Sequence, residues 1–128
     1  MISRGLHLLS LPKTLAVARF DRASPLPPGL ECSSFLSVTR TADELSIICD
    51  EELAGESWNA ERGWTALRVE GTLEFSEVGV LSSLAAPLAE AEVSIFVISS
   101  FDTDYLLVPQ RQFDLAVKVL ENAEHRVD

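Results

Sequence analysis

The chain is short of the groups from which most active sites are built. Its two histidines, His7 and His125, lie at opposite ends of the sequence, where each is expected to serve a strand or a solvated edge. Its two cysteines, Cys32 and Cys49, have no CxxC pair or His-rich cluster beside them. They read as free buried thiols rather than as a disulfide or a metal site. No Ser–His–acid or Cys–His arrangement and no glycine-rich phosphate loop occurs, so none of these routes to acyl or phosphoryl transfer is open. Positive charge is scarce: Lys+Arg number 10 against 20 Asp+Glu, giving a net charge of −10 and a pI near 4.5. Such a surface repels phosphate backbones and anionic lipid, so nucleic acid and membrane are not expected as partners. No apolar run approaches the ~20 residues of a membrane span. The N-terminal apolar segment after Arg4 is cut by Pro12 and Lys13, unlike a secretory signal. A cytoplasmic, cofactor-free, non-enzymatic protein is the expectation.

What the chain does have is core-forming material. Of 128 residues, 47% are hydrophobic and 23% charged, a globular balance sufficient for one domain or two small ones sharing a core. The organising stretch is Gly71–Val108. Ser76 is placed to cap a helix. Behind it, Val78, Leu81, Ala85 and Leu88 recur at spacings of three and four and share one helical face. Pro87 falls inside that helix and removes the bond to the Ser83 carbonyl, so a kink is expected. Val93–Ile98 is apolar apart from Ser94 and rich in β-branched residues, as a buried strand should be. Ser99–Thr103 reads as a turn and Tyr105–Val108 as a second strand.

Two features of the stretch exceed core building. Gly79 falls in the expected first helical turn, where glycine costs about 1 kcal/mol relative to alanine, and a backbone without Cβ lets another molecule come close. The helix N-terminus also offers free N–H donors and positive potential, which suit a carboxylate. Glu77 and Asp104, nearby in the pattern, suit an ammonium. Donors for an acid beside acids for an amine fit a free amino acid. A plain helix cap with turn-satisfying acids fits the same residues.

Elsewhere, Leu6–Leu11 and Thr14–Phe20 read as strands around Pro12-Lys13. Pro25, Pro27, Pro28 and Gly29 exclude regular structure from Asp21–Gly29. A short helical turn is expected at Leu30–Ser34. Phe35–Arg40 and Glu44–Cys49 form a hairpin through Thr41-Ala42-Asp43. Asp50-Glu51-Glu52 opens a short helix through Ala54. Gly55–Gly63, polar and containing Trp58, is the expected internal connection, and Trp64–Glu70 is a strand. Pro109 starts a final helix, with Phe113, Ala116, Val117 and Leu120 as its stripe. It ends at Asn122-Ala123, and His125-Arg126-Val127 closes the chain as an edge strand. The second half thus reads β-α-β-β-α-β, an α+β ferredoxin-like order with helices on one face of an antiparallel sheet. The first half looks like a degenerate copy. The expected division is residues 1–60 and 61–128.

Gly63–Pro109, GWTALRVEGTLEFSEVGVLSSLAAPLAEAEVSIFVISSFDTDYLLVP, resembles an ACT domain, the small regulatory module that binds amino acids. The variety is similar to that of CASTOR-type arginine sensors and their short bacterial relatives. FLSVTRTADELSIICDEE, Phe35–Glu52, resembles the family's preceding degenerate unit. Glu77-x-Gly79 after Gly71, the APLAEA helix and the Ser-x-Phe-x-Thr-Asp turn carry the resemblance in combination. It implies an allosteric sensor with a free amino acid, arginine or another cationic or zwitterionic one, held between two regular ACT units. CASTOR sensors contain two degenerate-plus-regular pairs; this chain has one, so the resemblance implies a homodimer. The implied helix-start contacts are Glu77, Val78, Gly79 and Val80. The implied turn contacts are Ser100, Phe101 and Asp104, with Ser94 and Ile95 supplied by the facing unit at the start of a strand. The sensors' partner-binding turn falls on Phe101, Asp102, Thr103 and Asp104. Asp102 is charged where some relatives carry an uncharged residue, which bears on ligand identity.

Two other functions are open to the same residues. ACT-like units can pair edge to edge as ligand-free scaffolds. Phe101-Asp102-Thr103-Asp104 after an apolar strand also mimics the DxD start of aspartate-nucleophile phosphatases, and acids two apart can share a divalent cation. Too little chain follows to supply the remaining strands, lysine and acid of that chemistry.

Overall fold

A computed structural model describes residues 5–71 and 79–128. Ser76, Glu77 and Val78 lie outside the described residues. The chain forms two compact units, one built from residues 13–64 and one from residues 1–12 together with 65–128.

In the 13–64 unit, β2 (Leu15–Phe20) pairs antiparallel with β4 (Leu45–Asp50), and β4 with β3 (Ser37–Arg40). β2 also pairs with the first part of β5 (Asn59–Val69). The order β3-β4-β2-β5 is the order of a ferredoxin-like unit. Its two helix positions hold only 3-10 turns, Leu30–Cys32 and Glu51–Leu53, which is the physical content of its degeneracy. Leu30, Leu45, Ile47 and Cys49 make the buried cluster, with Phe20, Leu53 and Trp58 against it. Trp58, in the expected polar connection, meets Phe20 edge to face at 5.0 Å, an arrangement aromatic quadrupoles favour. The connection is therefore not loop throughout: β5 begins at Asn59 rather than Trp64. Its early start is compatible with Gly63, whose φ of +77° accompanies a register shift in the pairing with β2. Cys49 is buried as expected, whereas Cys32 is exposed.

In the other unit the order is β6-β7-β5-β1-β8. It comprises β1 (His7–Ser10), the rest of β5, α1 (Val80–Glu90), β6 (Phe96–Ser99), β7 (Asp104–Pro109), α2 (Phe113–Asn122) and β8 (Arg126–Val127). Strand β5 is thus the last strand of one βαββαβ order and the first of the next. β1 is an inserted strand, antiparallel to β5 and parallel to β8. The division at residue 60 places β1 with the first half, whereas its hydrogen bonds are made in the second. Leu8, Leu67, Val69, Leu106 and Val108 from the sheet pack with Leu84, Leu88, Ala116 and Leu120 from the helices, the helices covering one face.

Several boundaries move. α1 begins at Val80 with Gly79, which has no side chain to cap with, at the N-cap; Ser76, the expected cap, lies outside the described residues. Its buried positions are Val80, Leu84 and Leu88. Pro109 ends β7 and precedes a 3-10 turn, Gln110–Gln112, so α2 starts at Phe113. Val119 also packs on the core beside the α2 stripe. β6 starts at Phe96, leaving Ser94 and Ile95 in the preceding loop rather than at a strand start.

Candidate functional site

The N-terminus of α1 is set by glycine conformation. Gly79 has φ +83°, a left-handed geometry that L side chains reach at a cost. Gly79 therefore answers to its own backbone, and the helix-interior penalty expected from the sequence does not arise. The first turn is closed by Ser83 N–H donating to the Gly79 carbonyl at 2.9 Å and Ser83 Oγ donating to the Val80 carbonyl at 2.7 Å. No acidic residue lies in this first turn, in contrast to Asp114 of α2. Among the described residues, the α1 tip keeps its orphan donors and positive potential without a side chain of its own to occupy them. Val80 itself is buried and can offer only backbone.

The β6–β7 turn forms the second group. Ser100 N–H donates to the Thr103 carbonyl at 2.8 Å, and Thr103 N–H donates back to Ser100 Oγ at 3.3 Å. Thr103 is buried, and its Oγ1 donates to the Val69 carbonyl at 2.8 Å. This bond pins the turn to the end of β5 from which the chain proceeds toward α1. Sequence reasoning placed Thr103 in the turn but missed this anchoring bond; a hydroxyl on a β-branched residue directly before a buried strand was the available signal. Phe101 projects from the turn with 79% of its surface exposed. Asp104 is half-buried, and one of its oxygens accepts Ser99 Oγ–H at 2.6 Å. Asp102 is exposed.

Ser94 and Ile95 make a third group. Ser94 N–H donates to Gln112 Oε1 at 3.3 Å, while Gln112 Nε2 donates to the Glu92 carbonyl at 3.3 Å. One amide therefore clamps the whole loop, a role the sequence did not reveal. Ile95 packs on the core. This loop precedes β6 and the turn follows it, so Ser94 and Ile95 are separated from Ser100, Phe101 and Asp104 by the length of the strand, about 13 Å. The unit brings Ser100, Phe101 and Asp104 together in one turn, and Gly79 and Val80 together at one helix tip. It does not bring Ser94 and Ile95 to the turn. Glu77 and Val78 lie outside the described residues. Among the described residues no group of three or more His, Cys, Asp or Glu is placed to hold a metal.

A second polar cluster lies in the 13–64 unit. Asp50 is buried and accepts Ser34 N–H and Ser34 Oγ–H, each at 2.8 Å, and Phe35 N–H at 3.3 Å. Burial alone would raise its pKa, but the donors outweigh it and hold the carboxyl below its ordinary value. Burial, with the charge of Asp50 beside it, pushes the Cys49 thiol up, so this cysteine stays protonated and inert. The cluster is structural: it ties the segment before β3 to the end of β4.

The ACT domain family model matches residues 59–122, and a second model, described as an N-terminal domain, matches residues 13–56. The cytosolic arginine sensor for mTORC1 subunit 1 of Bos taurus is 28% identical over 105 residues, covering 76% of this chain and 32% of that protein. Human CASTOR3P is 33% identical over 101 residues, covering 69% of this chain and 62% of that protein. The chain thus spans about a third of the first of these relatives. A crystal structure of an Agobacterium tumefaciens protein superimposes with a TM-score of 0.92 at 31% identity, covering 98% of this chain and 94% of the other. Aspartate kinase of Clostridium acetobutylicum shares the fold, with a TM-score of 0.69 at 17% identity over 96% of this chain and 36% of its own.

Proposed function

The chain belongs to the ACT domain family, and from that premise we propose that it is an amino-acid sensor that binds its ligand between the ACT units of a homodimer. The observation that carries the reading is the α1 tip: a left-handed glycine cap with no side-chain cap and no acid in the first turn. Such a tip suits a ligand carboxylate. Glu77 and Asp104 accept from the ligand's cationic groups. Ser100 and Phe101 border it, and Ser94 and Ile95 come from the facing copy, in keeping with their distance from the turn along β6. Arginine heads the candidates, because a relative is named as an arginine sensor. A cytosolic location is proposed on the same ground, with a regulatory rather than an enzymatic role. A ligand that bridges two copies stabilises their contact by its differential affinity for the docked state.

Isothermal titration of the full chain with arginine and a panel of other amino acids tests the proposal. Saturable heat with one of them, lost on mixing with Asp104→Ala, is the expected result. No heat from any amino acid into the millimolar range contradicts it and leaves a ligand-free pairing module.

A further inference from the structure

Pro87 sits inside α1. It has no N–H, so the Ser83 carbonyl one turn earlier has no helix donor. A carbonyl left without a partner away from water is costly, and here the partner comes from outside the helix. His125, buried at 6% exposure, places Nε2 3.0 Å from the Ser83 carbonyl oxygen. Its other ring nitrogen, Nδ1, lies 3.0 Å from the backbone nitrogen of Leu6. A backbone N–H can only donate, so Nδ1 is the acceptor. The ring proton is then on Nε2 and is donated to Ser83.

The ring is held where it can do both. α2 ends in a Schellman turn, with Glu124 N–H donating to the Glu121 carbonyl and His125 N–H to the Leu120 carbonyl. Glu124 takes φ +72° to close it. The next residue is knitted into the terminal strands: Arg126 N–H donates to the Leu6 carbonyl and Asp128 N–H to the Leu8 carbonyl. At Gly5 the Glu124 carbonyl oxygen would lie 1.8 Å from a Cβ, so only glycine admits this approach of the two terminal segments. One imidazole thus joins Leu6, the residue before β1, to the segment after α2 and the first turn of α1.

We propose that His125 is a positioning residue for the tip of α1: it replaces the hydrogen bond that Pro87 removes and so fixes Gly79 and Val80 relative to β1 and β8. The consequence for binding rests on the reading of that tip as the ligand's carboxylate site; the coupling of His125 to Pro87 does not.

Amide hydrogen exchange of Ser83 and Leu84 in the full chain tests it, with His125→Asn, which keeps an acceptor for Leu6 but loses the Nε2 donor, and His125→Gln, which keeps a donor. H125N should speed exchange about tenfold, as expected for one lost buried bond, and H125Q should stay near wild type. In a Pro87→Ala background, residue 87 supplies its own N–H, and the effect of H125N should shrink below about threefold. An equal factor in both backgrounds, or no change in either, would overturn the proposal. Arginine titration of the same proteins separates it from the ligand reading. Weaker binding in H125N, recovered in the double variant, supports both. Binding unchanged by a substitution that does loosen the tip contradicts the reading of that tip as the ligand's carboxylate site and leaves the positioning role standing. Absence of binding in the wild type removes the ligand reading alone, and the exchange cycle then decides.

Discussion

Asp50 shows how one side chain can hold a segment that has no regular structure. Its carboxylate collects three donors from Ser34 and Phe35, and its own N–H donates to Ser33 Oγ at 2.8 Å. Asp50→Ala leaves buried donors without an acceptor and should cost about 2 kcal/mol in urea denaturation. The folded carboxyl titrates below its unfolded value. Its contribution is therefore complete above the unfolded pKa of about 4 and is lost as pH falls through the folded one. Stability measured from pH 6 downward should drop below about pH 4, and Asp50→Asn should flatten that limb; an unchanged limb would show other carboxylates to be responsible. At the same scale, Thr103→Val keeps shape but removes the bond to Val69 and should cost about 1 kcal/mol, measured in the same denaturation. The anchoring roles of Asp50 and Thr103 were not legible from sequence. A polar residue in a strand or turn looks solvated until the tertiary partners that satisfy it are known.

At the scale of elements, both helices end alike. α1 closes with Glu92 N–H to the Ala89 carbonyl and Val93 N–H to the Leu88 carbonyl, and α2 closes with the equivalent pair at Glu124 and His125. Each turn needs a left-handed residue, and each uses glutamate, at φ +62° and +72°. Replacing Glu92 or Glu124 by glycine should raise stability by roughly 0.5–1 kcal/mol each, the relief of left-handed strain exceeding the entropy that glycine loses. Thermal melts of the two single variants check this; a lowered midpoint would mean that the glutamate side chains contribute more than their backbone strain costs. Element identity was readable from apolar spacing, with Leu88, Ala116 and Leu120 common to the expected and observed faces, although α1 buries Leu84 where the expected face had Leu81 and Ala85. Element ends were not, because glycine at Gly79 could be a helical residue or a cap, and Pro109 a helix start or a strand end. Only the backbone dihedrals distinguish these.

At the scale of the molecule, the α+β order and the degenerate first half were legible, since strand and turn signals alternate in the sequence. The insertion of β1 between β5 and β8 was not. Short strands such as His7–Ser10 carry no mark of their partner, and pairing with β5 and β8 spans nearly the whole chain. The candidate site was legible only as segments. Sequence marked Gly79, Ser94 and Ser100–Asp104, while the separation of Ser94 from Ser100–Asp104 along β6 emerged from the fold, and the proposed second copy is the way this separation would be bridged. A ligand bound between copies should raise the thermal midpoint in proportion to the logarithm of its concentration and increase the sedimentation coefficient together with it. A rise in the midpoint with a purely monomeric boundary would place the ligand within a single chain.

Backbone amide shifts recorded while the amino acid that gives heat is titrated into the full chain test the central claim most directly. The account predicts that Gly79, Val80, Ser94 and Ser100–Asp104 move together and saturate at a single affinity. Shifts confined to the 13–64 unit, or movement at the α1 tip without any at Ser94, would contradict it.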